Sequence, residues 1–307
     1  MIGIMPGKIH ADSELVAVKT AIRRLDPMGI RTGKVFRDTL DQLYDGQRTG
    51  RYRWDQLFKT ERDGIGGIFA INLHREFDFQ DGAEMDFQIA GVEVDCKYSQ
   101  SACAWMIPPE KQDRLCLLVG ADDERSNWSM GLVSIIADLF NSDAIGERKP
   151  TFMLDDHSAI TWIFNRAPLP PNALLQLDNA TVNRIMSLNS SQKRINELFR
   201  SALGRVVGRA VVATVAQRDD YMKCVRANGG ARTALKPEGI VILVQYTSHA
   251  DIARALGMPV PVHGESVSVR LAPANAPGFG VAAIDERYWR VATPTDTPGT
   301  APDLPGI

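Results

Sequence analysis

The stretch "EMDFQIAGVEVDCKYS", Glu84 to Ser99, decides how the first half of this 307-residue chain folds. Two strand-like runs flank Ala90-Gly91, and a β-hairpin is the simplest structure they can form. With that pair as the loop, Ile89 faces Val92, Gln88 faces Glu93, Phe87 faces Val94 and Asp86 faces Asp95. A four-residue loop about the same centre keeps this pairing. Period two then puts Glu93, Asp95 and Lys97 on one side of the second strand, and Val92, Val94 and Cys96 on the other. Asp86 and Asp95 are expected side by side, Cβ atoms roughly 5 Å apart, with Lys97 next along. Opposed like charges are unfavourable unless something offsets them, and a divalent cation does so directly. Two carboxylates on a partly hydrated ion suit Mg²⁺. Such an ion could polarise a phosphodiester while Lys97 stabilises developing charge or orients the attacking water. The competing reading is a solvent-facing strand of alternating charge, and D-x8-D-x-K alone does not separate the two.

Outward from the hairpin, the first half reads as a mixed α/β domain. Helical spacing covers Glu14–Leu25 and Gly33–Tyr44, strands are expected at Gly67–Leu73 and Arg114–Val119, and a helix near Leu132–Phe140. Trp105 and Met106 read as core. Asn165-Arg-Ala-Pro-Leu-Pro-Pro171, with three prolines in four positions, reads as a linker. Beyond it, Ser191–Gln217 is a long helical pattern with Ile195, Leu198, Phe199, Ala202, Val206, Ala210 and Val211 on one stripe. A shorter helix, Asp219–Arg226, stops at Asn228-Gly229-Gly230. The expected domains are therefore 1–164, a linker at 165–172, a second domain at 173–290 and a mobile Pro-rich tail at 291–307.

Bulk properties narrow the classes. No apolar run approaches the roughly 18 residues of a membrane span, and no secretory signal is visible at the N-terminus, so a cytoplasmic protein without membrane partners is expected. The four cysteines include no C-x-x-C pair and read as free thiols, and the five histidines have no ligand spacing. Residues 1–165 carry 19 Lys and Arg against 26 Asp and Glu, whereas residues 166–307 carry 16 against 11. Between Lys193 and Lys236 lie ten basic and three acidic residues. An acidic half joined to a basic one suits a cation site next to a polyanion-binding module; a solvated basic helix face is the plainer alternative.

"LYDGQRTGR", Leu43 to Arg51, differs by one residue from the KYDGQR motif of DNA ligases and capping enzymes. That reaction needs a lysine amine to attack phosphorus, and leucine has no nucleophilic atom. Leu43 shares an apolar helix side with Val35, Phe36, Leu40 and Tyr44, and Gly46 is the expected C-terminal cap. No nucleotide cofactor is expected.

Asp86…Asp95-Cys96-Lys97 has the form of the PD-(D/E)XK nuclease motif. With it, "RDTLDQLYDGQRTGR", "INLHREF", "AWMIPPE", "GRAVVATVAQRDDYMK" and "GGARTALKPEGI" make the chain resemble the NaeI-like type IIE restriction endonucleases from about Leu25 to about Arg290. The resemblance implies a homodimer whose Mg²⁺-dependent endonuclease domain precedes a mainly helical, winged-helix-like domain related to that of catabolite activator protein. It implies two bound copies of a GC-rich palindrome of the GCCGGC type, one activating cleavage of the other. By position it makes Asp86 and Asp95 metal ligands and Lys97 the catalytic lysine, and Thr60 matches a further active-site position. Where the family has an acid before "INLHREF", this chain has Ala70, and cleavage should be strongly reduced while DNA binding persists.

In the basic half, phosphate contacts give affinity and base-edge contacts give specificity. A helix-turn-helix presents its second helix to the major groove, where arginine pairs with guanine. The candidates there are Gln217, Arg218, Lys223, Arg226, Arg232 and Lys236. In the nuclease half, the polar run Ser99-Gln100-Ser101 is placed to reach bases.

Overall fold

The computed structural model describes residues 6–100, 105, 114–135 and 157–306. They form two compact units, 1–43 with 57–170 and 44–56 with 171–307. The division falls between Pro170 and Pro171. The expected linker is nevertheless mostly structured: its first residues end a strand, and Leu169 is buried with its N–H donated to Ser126 O. The 44–56 segment groups with the second unit, which nothing in the sequence pattern indicated.

In the first unit α1 (Pro6–Leu25), α2 (Ile30–Tyr44) and α4 (Lys59–Phe77) accompany a five-stranded sheet in the order β1 (Phe87–Ile89), β2 (Val92–Tyr98), β3 (Leu115–Asp122), β4 (Asn127–Ser134) and β5 (Thr161–Pro168). Only β2 and β3 run parallel, so the sheet is mixed, as expected. The hairpin has the expected register, Phe87 with Val94, Gln88 with Glu93 and Ile89 with Val92. Ala90 and Gly91 have φ of 53° and 80°, the two positive values a two-residue type I′ turn requires. Phe36, Phe69 and Trp128 meet at the core, with Phe36 centroids 4.4 Å and 5.1 Å from the other two. Leu43 and Trp105 are buried, as expected; Met106 lies outside the described residues.

The strand expected at Gly67–Leu73 is instead the middle of α4. Isoleucines and glycines there mimic a strand locally, but Ile65, Phe69, Leu73 and Phe77 recur every four residues and bury one stripe. Glu61 Oε2 accepts the Phe58 N–H and closes the first turn. Of the helix expected near Leu132–Phe140, Leu132–Ser134 belong to β4 and residues 136–140 lie outside the described residues.

The second unit is mixed rather than mainly helical. Its helices are α3 (Gly46–Thr49), α5 (Asn179–Ser187), α6 (Ser191–Ser201), α7 (Arg209–Ala216), α8 (Ala231–Ala234) and α9 (Thr247–Ala255). Strands β6 (Val206–Gly208) and β7 (Ile240–Val244) both pair with β8 (Glu265–Ala274), which also pairs with β10 (Arg287–Val291); β9 (Val281–Ile284) completes the sheet. The single helix expected over Ser191–Gln217 is thus two helices around a short strand. Gly204 at φ 72° and the β-branched Val206-Val207 break it, though the stripe residues Ile195, Leu198, Phe199 and Val211 remain core. The helix expected at Asp219–Arg226 is only a 3₁₀ turn, Tyr221–Cys224.

Gly46 opens α3 rather than capping α2, because Asp45, at φ 45° and ψ 46°, takes the left-handed position after Tyr44; a Cβ on Gly46 would stand 2.0 Å from Thr214 Oγ1 of α7. The expected mobile tail packs: Ala301 is buried and donates to Lys236 O, and His249 faces Pro305 O. No described helix is long and apolar enough to cross a membrane.

Candidate functional site

β1 is an edge strand and its ladder ends at Phe87, so β2 from Asp95 onward has an open edge on that side. Asp86 turns into this opening. Its Oδ2 accepts the Cys96 N–H at 2.7 Å, taking the place a strand carbonyl would fill. Asp95 is 3% exposed, and its Oδ2 lies 2.6 Å from Lys97 Nζ. Asp95 and Lys97 are thus paired on alternate residues of β2, and the Asp86 carboxylate is bound to the N–H of Cys96 between them. Burial pulls the Lys97 ammonium down, but its hydrogen bond and charge pairing with Asp95 more than offset this, and its pKa is raised. Burial, followed by Cys116 and the acids Asp86 and Asp95, holds the Cys96 thiol well above its usual range, so Cys96 stays a protonated wall residue.

Helix α4 runs along the other face of β2. A Cβ on Gly66 would touch Tyr98 Cβ at 3.7 Å, and two turns later His74 Nε2 lies 2.8 Å from Asp86 O. Ala70 is midway on that stripe, one turn from each, and half-buried. Alanine there offers no donor atom. Among the described residues no group of three or more His, Cys, Asp or Glu could hold a metal. Thr60 is exposed in the first turn of α4, about 15 Å along the helix from Ala70 at 1.5 Å per residue, and does not join this group.

Below the site, Arg37 of α2 forks onto Asp123, with Nη1–Oδ1 2.5 Å and Nη2–Oδ2 3.2 Å, and also meets Asp41 Oδ1 at 2.8 Å. Burial above all, opposed by Arg37, raises Asp41 to about 6. Nothing in the sequence ties Arg37 and Asp41 to Asp123. Tyr98, whose hydroxyl is pushed up by burial and by Asp123, donates to Gln100 Oε1 at 3.1 Å. Ser99 is buried and its N–H extends the sheet to Val119 O, so its side chain is not at the surface where a base could meet it; Ser101 lies outside the described residues.

The basic stretch of the second unit divides by partner. Arg218 pairs with Asp220, and Lys223 meets the same carboxylate at 2.8 Å, which lowers Asp220 to about 2. Lys236 lies 2.5 Å from Asp303, and Arg200 is held by Glu197 and Glu238. Arg194 donates to Val215 O and Ala216 O and caps α7. Arg226 is exposed and has no acid partner among the described residues. Arg232 is half-buried, and burial lowers its pKa. Arg205 and Arg209, which the sequence did not single out, are likewise exposed without an acid partner among the described residues. Gln217 caps α7 in the left-handed region and faces Gly50 rather than Arg226.

A hairpin carrying two acids and a lysine, beside a helix that lacks an expected acid, defines a restriction-nuclease-like chain. The family model described as "Restriction endonuclease NaeI" matches residues 16–298. The type II restriction enzyme NaeI of Lentzea aerocolonigenes is 45% identical over 302 residues, 96% of this chain and 95% of its own length. The chain belongs to the NaeI restriction endonuclease family.

Proposed function

We propose that this chain is a type II site-specific endonuclease that hydrolyses phosphodiester bonds of double-stranded DNA, and that its cleavage is weakened by Ala70. The observation that carries the reading is the Asp86–Cys96 N–H bond beside the Asp95–Lys97 pair. The Asp86 carboxylate is bound at the N–H of Cys96, between Asp95 and Lys97 in the strand. The donor set fits Mg²⁺: Asp86 and Asp95 supply hard oxygens, and the second Asp86 oxygen has no partner among the described residues. When bound, the ion would supply charge stabilisation at the scissile phosphate and lower the pKa of the attacking water. Lys97, held charged by Asp95, offsets negative charge on the phosphorane-like transition state and orients water. Asp86, fixed by the Cys96 N–H, holds its carboxylate at the edge. An acid at position 70 would complete the set.

The second unit is read as a winged-helix DNA reader that binds a second copy of a GC-rich palindrome of the GCCGGC type in a homodimer. The three-stranded ladder β6–β8–β7 beside α6 and α7 supports this, and so do Arg226, Arg205 and Arg209, which have no acid partner among the described residues. Phosphate contacts by these arginines would position the duplex, and Arg226 and Arg232 are candidates for guanine.

Plasmid DNA incubated with Mg²⁺ and either this chain or its Ala70→Glu form tests the reading. Cleavage that appears or rises on the order of 100-fold with the acid supports the nuclease. Tight specific binding with no cutting by either form leaves a DNA-binding protein without nuclease activity.

A further inference from the structure

The second unit contains a cavity of about 430 Å³ that the DNA-cleaving reading does not use. One wall is residues 49–56. The opposite wall is a stripe of α5, on which Asn179, Val182, Asn183 and Met186 recur at i, i+3, i+4 and i+7. Gln217 closes it.

Arg53 is fixed in the wall. Nη1 donates to Asn179 Oδ1 at 3.3 Å, Nη2 lies 3.1 Å from Asp55 Oδ2, and the guanidinium sits 5.7 Å from the Tyr52 ring centre. Its charge is thus already answered by Asp55. Gln56 Oε1 accepts the N–H groups of Tyr52 and Arg53 at 2.8 Å and 3.0 Å. That bond orients Gln56 and leaves its amide NH₂ unpartnered among the described residues. The side-chain amides of Asn183 and Gln217 likewise make no hydrogen bond to a described residue.

The backbone around Gln217 is unusual. It has φ 50° and ψ 50° at the end of α7, a position where glycine is the easy choice. Opposite it, Gly50 has φ 73°, and a Cβ there would stand 3.0 Å from Gln217 Nε2. The chain keeps a strained glutamine where glycine would relax, and a glycine where the glutamine amide needs room. Strain of this kind persists where the side chain has a task.

The lining selects a ligand class. A bare phosphate would find one cation, already paired. A hydrocarbon would cover three exposed side-chain amides and give them no partner in place of water. A flat, neutral molecule with donors and acceptors on its edge and an apolar face satisfies both the amides and the Val182 and Met186 floor. Side-chain amides reading a base edge are the chemistry that glutamine and asparagine supply in nucleic-acid recognition.

We propose that this cavity binds a single unpaired nucleobase, with Gln56, Asn183 and Gln217 on its edge and Val182 and Met186 on its face. The base can come from a free nucleotide or from a strand of bound DNA; no bond is made or broken. The inference stands apart from the cleavage reading, because binding is measured without Mg²⁺ and without turnover.

The full chain is titrated with guanosine, adenosine, cytidine and thymidine monophosphates. It is titrated separately with a paired duplex and with the same duplex carrying one bulged 2-aminopurine. Saturable mononucleotide binding identifies the free source; tighter binding of the bulged duplex, with a change in its fluorescence, identifies the DNA source. In either case Gln217→Gly and Asn183→Ala should each weaken binding tenfold or more. Gln217→Gly, relieved of its backbone strain, should melt no lower than the parent, which separates lost recognition from lost folding. The proposal is overturned if no mononucleotide saturates at millimolar concentration and the bulged duplex binds no tighter than the paired one. It is equally overturned if both variants bind as the parent does.

Discussion

In the first unit Arg37, Asp41 and Asp123 meet below the sheet, and Asp95 lies buried against Lys97. In the second, Arg218 and Lys223 meet Asp220 in solvent, and Lys236 meets Asp303 at the surface. The same chemistry has different consequences in the two places. A buried pair cannot lose one partner without leaving an uncompensated charge in a medium that solvates it poorly. An exposed pair contributes little to folding, but it cancels field that would otherwise attract a polyanion. Variants in the first unit should therefore report through stability and chemistry, and variants in the second through affinity and salt.

The largest effect is expected at Asp123, which is 2% exposed. Asp123→Ala removes the buried carboxylate onto which Arg37 forks and should cost about 3–5 kcal/mol in urea unfolding. A loss near zero would mean that Arg37 finds water or another acid and that the network is not the anchor of α2. Next comes the edge of β2. Asp95→Ala, introduced together with Ala70→Glu, should lower the cleavage rate on the order of 100-fold or more. Duplex affinity measured by filter binding should change far less, because the second unit keeps its cations. Equal losses of binding and cleavage would make Asp95 a structural acid only.

These two regions were also unequally legible in the sequence. The hairpin register can be read from Phe87 to Val94 because period two and the Ala90-Gly91 loop leave a single pairing; Asp86, expected opposite Asp95, lies outside the ladder and its carboxylate accepts the Cys96 N–H. The middle of α4 looks like a strand over Gly67–Leu73, where Ile68 and Ile71 follow glycines; only the longer recurrence of Ile65, Phe69, Leu73 and Phe77 separates the two periods. Arg37 and Asp41 are one turn apart on α2, but Asp123 lies 86 residues away in sequence, so the network appears only once α2 meets the end of β3. In the basic stretch, counting charges located the positive region. It could not show that Asp220 and Asp303 neutralise Arg218, Lys223 and Lys236, because Asp303 lies in a segment whose prolines suggested a tail.

Asp41 sharpens the comparison through pH. Its folded pKa, about 6, lies above the ordinary 3.8, so the folded state binds this proton more tightly. The contribution is fully present below pH 3.8 and is lost as pH rises through about 6. At 1.36 kcal/mol per unit the loss is at most about 3 kcal/mol, and it should be smaller because the side chain keeps 23% of its exposure. Asp41→Asn should therefore be more stable relative to the parent at pH 7.5 than at pH 4. Parallel stability curves for the two proteins across that window would show that Asp41 is solvated as any surface acid.

The smallest expected effects come from the exposed pairs, and they carry opposite signs. Asp220 is only half-buried and neutralises two cations at once, so Asp220→Ala should leave unfolding free energy almost unchanged. Duplex affinity at low salt should rise several-fold, and the slope of log K against log salt should steepen by up to about two, since each cation freed to meet a phosphate adds about 0.9. Arg226→Ala removes a cation that no described acid restrains; affinity should fall several-fold and the slope should flatten by about one. Asp303→Ala frees Lys236 alone and should behave as half of Asp220→Ala. If Asp220→Ala and Asp303→Ala leave both affinity and slope unchanged while Arg226→Ala acts as expected, Arg218, Lys223 and Lys236 lie outside the DNA face. The reader would then be confined to the cations that have no acid partner among the described residues, Arg226 with Arg205 and Arg209.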